Sequence, residues 1–307
     1  MFPLLFILTF LPSSEPSHCR HPEVTTVTRR AELSHLNVLL NADIEGDSPK
    51  PAPIEIVRTL EKYIPYARLS YCPDDSIKKM SCNHCINAAS KSTPQFHSIT
   101  SDLATKTHAV ILVDKGQKEI IVSFRGSDKN FDVHSLAVVV TDRYAIDGTN
   151  DARVNRRVLV DLNEIIGSIT DKLTSLTERY TDFVIILVGR SLGGCLATLA
   201  APVLYKKLSL TSNRMLVMLY DQPKVANQVF VNSFDKLGFP YMHIINENDW
   251  VSQPSEDPNL GRINNEIHFK DGTALQCRKH DTKCSILLTS SYQQNSDDDE
   301  IIHSNGC

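Results

Sequence analysis

A serine set between two glycines is the strongest candidate for covalent chemistry in this chain. Gly189-Arg190-Ser191-Leu192-Gly193 has the form Gly-x-Ser-x-Gly, and Gly194 follows. A serine hydroxyl is a poor nucleophile at neutral pH. It needs a general base, and the base needs a carboxylate to hold its tautomer. So equipped, it attacks an acyl carbonyl and carries the acyl group until water releases it. The oxyanion formed on attack needs donors already aimed at it.

Gly-x-Ser-x-Gly alone is a weak signal, and its flanks make it specific. Phe183 to Val188 is an unbroken apolar run, the pattern of a strand buried on both faces. Leu196, Leu199, Ala200, Val203 and Leu204 recur at helical spacing. Strand, serine, helix is the setting of a nucleophile elbow. The elbow turn leaves room only for small residues two places either side of the serine, and Gly189 and Gly193 stand there. An ordinary glycine-rich turn is the alternative. Pro202 is expected to kink the helix or end it early.

The remaining groups follow from chain order. Elbow folds run Ser, then Asp or Glu, then His. Tyr241 to Ile245 reads as a strand leading into Asn246-Glu247-Asn248-Asp249. Asp249 therefore falls on the rim where open α/β sheets gather their catalytic groups. Asp221, after the preceding strand, is its rival. Of eleven histidines, His268, His280 and His303 follow Asp249. One oxyanion donor is the backbone N–H of Leu192 at the start of the helix. Ser127, just past the strand Ile120 to Phe124, is placed to give the other.

These groups need a sheet to hold them. His108 to Val113 and Glu119 to Phe124 read as a hairpin around Asp114 to Lys118. Val158, Leu162, Ile165, Ile166, Ile169, Leu173 and Leu176 share one face of a long helix. A first helix is expected from Ile54 to about Tyr71. Arg214 to Tyr220 reads as a strand and Gln228 to Leu237 as a helix. Ile267 to Phe269 and Ala274 to Cys277 read as a late hairpin. The alternation predicts an α/β fold, a sheet with helices on its faces.

The chain has 307 residues, 41% of them hydrophobic, and a net charge of -4. A sizeable core is within its reach. No basic stripe marks a nucleic-acid partner. Met1 to Leu11 is almost wholly apolar, with small residues at Ser13, Ser14 and Ser17. This predicts a signal peptide over 1–17 and a secreted, extracellular protein. No other stretch is apolar enough for a stable membrane span. Residues 18–50 are polar and read as a pro-segment or loose N-terminal arm, with a dibasic pair at Arg29-Arg30. Residues 51–307 form a single domain.

The eight cysteines are Cys19, Cys72, Cys82, Cys85, Cys195, Cys277, Cys284 and Cys307. After a secretory start they favour disulfides. Cys82 and Cys85 make a C-x-x-C, which without a redox or zinc-finger context is neither of those motifs. Cys195 is expected to be a small buried residue. No metal site is read, and the acidic run Asp297 to Glu300 is taken as a solvated loop.

Several blocks in order carry a family resemblance. They are Ala67-Arg68-Leu69-Ser70-Tyr71-Cys72, Val122-Ser123-Phe124-Arg125-Gly126-Ser127, Gly189 to Gly194, Gln222-Pro223-Lys224-Val225-Ala226-Asn227, Asn246 to Val251, and Glu266-Ile267-His268-Phe269. From about residue 55 to the C-terminus the chain resembles the class 3 lipases, the fungal triacylglycerol lipase and feruloyl esterase family. The resemblance implies an α/β-hydrolase-like fold, a central mostly parallel sheet with helices on both faces. It implies Ser191 as nucleophile, Asp249 as triad acid, and Ser127 with Leu192 as the oxyanion hole. It also implies disulfides Cys72–Cys307, Cys82–Cys85 and Cys277–Cys284, and a lid beginning after Ser127. In the lid stretch, Asp128 to about Tyr144, Leu136 to Val140 would face an oil surface; a plain core element fits the same run.

The chain also departs from the family. Arg190 stands where the family has His. Phe131 and His134 stand in the lid for Trp and Asp. His303 is followed only by Ser304-Asn305-Gly306-Cys307. For the base, His303 matches the family position and follows a long polar loop. His268 lies in a strand, and His280 sits among Arg278, Lys279 and Lys283. The expectation is a serine ester hydrolase, a lipase, using Ser191, Asp249 and His303 with no cofactor. Its substrate would be a lipid or other ester at an oil–water interface. The alternatives are an esterase for soluble or phenolic esters, or an inactive lipase-fold binding protein.

Overall fold

The computed structural model describes residues 28–42, 49–90, 92–127, 141–146, 148–246, 259–270 and 272–277. The β-branched and aliphatic runs of the sequence are its middle strands. β3 (His108–Asp114), β4 (Glu119–Phe124), β7 (Val184–Arg190), β8 (Met215–Tyr220), β9 (Tyr241–Asn246) and β10 (Glu266–Lys270) match the expected strands closely. With β1 (Lys50–Pro51), β2 (Pro94–Ser101) and β11 (Thr273–Gln276) they form one nine-stranded sheet in the order β1-β11-β10-β9-β8-β7-β4-β3-β2. The five central strands, β10, β9, β8, β7 and β4, are parallel. The flanking pairs are antiparallel. A separate two-stranded sheet joins β5 (Thr141–Arg143) to β6 (Arg153–Asn155).

Both faces of the sheet are covered, which is why the central strands are apolar without alternation. In β7, Ile185 and Leu187 point to one core, and Val184, Ile186 and Val188 to the other. The first core is closed by α5 (Arg156–Arg179), α6 (Leu192–Lys207) and α7 (Gln228–Lys236). The second is closed by α1 (Arg29–Asn41), α2 (Ile54–Leu69), α3 (Asp74–Lys78) and α4 (Asn83–Ala89).

Two expectations differ from the structure. A pro-segment or loose arm without sustained periodicity is expected over residues 18–50, and within it α1 is a regular helix. Thr28 caps it by accepting the Ala31 amide at 3.3 Å. Its Leu33, Leu36 and Leu40, one face at helical spacing, are buried against α2 and the sheet. The second difference is Pro202. It sits inside α6, which nevertheless continues to Lys207. Nearly every α6 side chain up to Leu204 is buried, and that packing outweighs the backbone hydrogen bond proline cannot make. Among the described residues no helix is long and apolar enough to cross a membrane.

Candidate active site

Ser191 closes β7 and opens α6 with a backbone φ of 54° and ψ of -125°. Few non-glycine residues adopt positive φ, and doing so costs about 1–3 kcal/mol. The surroundings hold it there. The Ser191 amide donates to the Tyr220 carbonyl at 2.9 Å, pinning the turn to β8. The Ser191 carbonyl accepts from the amides of Gly194 (2.9 Å) and Cys195 (3.2 Å).

The flanking glycines are sterically required. A Cβ on Gly189 would lie 2.1 Å from the Gly193 carbonyl oxygen. A Cβ on Gly193 would lie 2.2 Å from the carbonyl oxygen of Phe124. The elbow is thus pressed against the end of β4, where the chain turns through Arg125 and Gly126 to Ser127.

That contact sets Gly126 and Gly193, the chain neighbours of the two expected oxyanion residues Ser127 and Leu192, against each other: a Cβ on Gly193 would lie 3.0 Å from the Gly126 nitrogen. Leu192 is the first residue of α6, so its amide has no carbonyl four residues back within the helix and sits at the helix's positive end. The Ser127 Oγ is buried with no hydrogen-bond partner. The Gly126 amide donates to the Tyr71 hydroxyl at 3.0 Å, and that hydroxyl donates on to the Arg190 carbonyl at 3.4 Å. A Cβ on Gly126 would fall 2.2 Å from the Tyr71 oxygen. Tyr71, in the first resemblance block, has no function readable from sequence; in the structure it joins the loop after β4 to the elbow.

Asp221 is committed elsewhere. Its carboxylate takes the Arg190 guanidinium at 3.2 Å and the Asn246 amide at 3.0 Å. Asp249, His280 and His303 lie outside the described residues, as does the expected lid, Asp128 to about Tyr144, as far as residue 140; its last residues are β5 and the buried Tyr144, whose hydroxyl donates to the Leu199 carbonyl. His268 is described. It sits on β10, three strands from β7, is 2% exposed, and pairs with Glu266 at 3.3 Å. It is enclosed in structure rather than presented on the rim.

Glu266 belongs to a buried group that sequence reasoning missed, because its members come from separate elements. Arg262 pairs with it, and His243 lies 3.9 Å away. Burial alone would push the Glu266 carboxyl up, but His268 and Arg262 hold it down to about 2. Burial holds the His243 imidazole down to about 4. Glu266, His268 and Cys277 bring ligand-type atoms within 4.8 Å of one another. Cys277 is disulfide-bonded, so its sulfur is not the thiolate a metal would need.

Cys82 and Cys85 are bonded to each other. Cys72 is also a half-cystine; the expected partners Cys307 and Cys284 lie outside the described residues. Cys195 is free and buried, and burial pushes its thiol well above the usual range.

Comparison with known proteins agrees with this geometry. The family model described as lipase (class 3) matches residues 121–257, from β4 through the elbow to the stretch holding Asp249. The lipase of Rhizomucor miehei is 26% identical over 267 residues, covering 81% of this chain and 72% of that protein. The crystal structure of a lipase from Rhizopus microsporus var. chinensis superposes with a TM-score of 0.71 at 22% identity, covering 81% of this chain and 87% of that one. The Rhizomucor miehei lipase propeptide complex superposes at 0.68 and 22% identity, covering 86% and 90%. The two structural likenesses show the shared α/β-hydrolase fold. The matched sequence from β4 through the elbow is similar to that of the class 3 lipases.

Proposed function

We propose that this protein is a carboxylic-ester hydrolase of the lipase type with Ser191 as its nucleophile. The observation that carries the reading is the Ser191 backbone. It is held at positive φ between a buried strand and a helix N-terminus, and the Ser127 Oγ, past the end of β4, is buried without a hydrogen-bond partner. Such a turn serves to present a side chain, and the unpartnered hydroxyl suits an anion that forms only during reaction.

In the proposed cycle His303 takes the Ser191 proton as Oγ attacks the ester carbonyl. The oxyanion is received by the Leu192 amide and by Ser127. Collapse expels the alcohol, which leaves with the proton from His303, and Ser191 keeps the acyl group. Water, deprotonated by the same histidine, then releases the acid. Asp249 holds the imidazole in the tautomer this requires. The roles of Asp249 and His303 rest on chain order and family position.

The proposed substrate is a lipid ester met at an oil–water interface, with the stretch from Asp128 to about Tyr144 as the covering segment. Residues 1–17 are proposed as a signal peptide and 18–50 as a pro-segment; the disulfides fit an oxidising, extracellular setting. The test is hydrolysis of a triglyceride emulsion and of soluble short-chain esters by the same preparation. A rate that jumps once the substrate passes its solubility limit supports the lipase reading. Smooth saturation through that limit favours a soluble esterase, and no turnover of either favours a binding protein.

A further inference from the structure

Arg190 and Asp221 are a matched pair at the centre of the catalytic rim. The guanidinium Nε lies 3.2 Å from the Asp221 carboxylate, with side chains 19% and 6% exposed. Arg190 immediately precedes Ser191 at the end of β7. Asp221 immediately follows β8, with a φ of 49°. Its backbone amide donates to the Ile244 carbonyl of β9 at 2.8 Å. Its second carboxylate oxygen accepts the amide of Asn246, the last residue of β9, at 3.0 Å. One carboxylate thus ties together the ends of three adjacent parallel strands. One of these strands leads directly into Ser191. Another ends at Asn246, three residues before Asp249 in sequence.

A positive φ at a non-glycine residue persists only where the surroundings over-determine it. Here it turns the Asp221 carboxylate back over the strand ends. A solvated surface pair would not need this, and exposed pairs contribute little. Asp221 is buried, so its charge requires the partner that Arg190 supplies.

We infer that the Arg190–Asp221 pair is a positioning device for catalysis, setting Asn246, where the chain leaves β9 towards Asp249, relative to the nucleophile elbow. The inference rests on the proposed roles of Ser191 and Asp249. In this role Asp221 is a positioning residue that acts through Asp249. Displacing a catalytic group by about 1 Å can cost on the order of 10²-fold in rate.

The test is a double-mutant cycle on a soluble p-nitrophenyl ester, with Asp221→Ala, Asp249→Asn and the combination. Thermal unfolding is measured on each protein. Asp221→Ala is expected to lower kcat by about 10- to 100-fold with KM nearly unchanged. In the Asp249→Asn background the same change is expected to lower kcat by less than about threefold, because what it positions is already disabled. The inference is overturned if Asp221→Ala keeps wild-type kcat, if the loss appears in KM, or if the full loss recurs in the Asp249→Asn background. Should Asp221→Ala fail to fold, Arg190→Gln replaces it in the cycle with the same expected and overturning results. An active Asp249→Asn single variant would sink both the triad reading and the inference. A failed cycle with an inactive Asp249→Asn sinks the inference alone.

Discussion

The Tyr71 hydroxyl accepts the Gly126 amide at 3.0 Å, so a side chain at the end of one helix holds the loop that presents Ser127. The same oxygen donates to the Arg190 carbonyl at 3.4 Å. The loop after β4 and the turn at Ser191 therefore share one oxygen atom.

Removing that oxygen should be felt in the rate. Tyr71→Phe keeps the ring and leaves the Gly126 amide without its acceptor, a loss of about 1–3 kcal/mol for a buried donor. With the loop freed, kcat should fall by about tenfold or more, short of the 10²–10³ typical when a whole oxyanion donor is deleted. Steady-state kinetics beside a melting curve check this. Wild-type kcat in the variant would mean that the loop is held by other contacts.

The N-terminal helix offers a stability test. Arg29 places its Nε 2.7 Å from the carboxylate of Glu119, which is fully buried, and donates to the Tyr63 hydroxyl at 2.7 Å. Lys62 reaches the same Glu119 oxygen at 2.7 Å. Taking one partner from a buried pair commonly costs about 3–5 kcal/mol; with Lys62 still present, Arg29→Ala should cost about 1–3 kcal/mol. A chain beginning at Ala31, as cleavage after the dibasic pair would leave it, should lose a similar amount. Denaturant unfolding measures both, and an unchanged midpoint would show that Arg29 contributes nothing.

The buried group around Glu266 predicts how stability depends on pH. His243 is held at about 4 against an ordinary 6.5, and Glu266 at about 2 against 4.5. Both folded values lie below the unfolded ones, so the unfolded chain binds more protons and acid destabilises the fold. The His243 contribution is complete above pH 6.5 and is lost as pH falls from there through 4, on the order of 3 kcal/mol. The Glu266 contribution is complete above pH 4.5 and is lost towards pH 2. His243→Gln should flatten the upper part of the curve. An identical slope between pH 6.5 and 4 in the variant would assign the acid sensitivity to other groups.

The elbow is legible in the sequence because its requirements are local. A β-branched run fits a strand covered on both faces, and glycine alone fits two places beside the serine. The central strands are legible for the same reason. α1 is harder to read: its apolar face is Leu33, Leu36 and Leu40, about two turns, in an otherwise polar stretch. Only packing on α2 and the sheet shows that this face is buried. The edge strand β2 is polar along most of its length and bulges between Phe96 and Ser98, so neither alternation nor a buried run marks it. The Arg190–Asp221 pair spans 31 residues and exists because β7 and β8 are neighbours. In the sequence Arg190 is only a departure from family pattern, and Asp221 only a competing acid. Asp249 and His303 are read from order along the chain, since both lie outside the described residues.

The central claim is that Ser191 is the nucleophile, and covalent labelling tests it most directly. A fluorophosphonate ester offered to the purified protein should attach at one site, found by peptide mapping on the tryptic fragment that carries Ser191. The Ser191→Ala protein, folded by its melting curve, should take no label and lose ester hydrolysis by ~10⁴-fold or more. Label on another residue, or near-normal turnover in folded Ser191→Ala, would contradict the account.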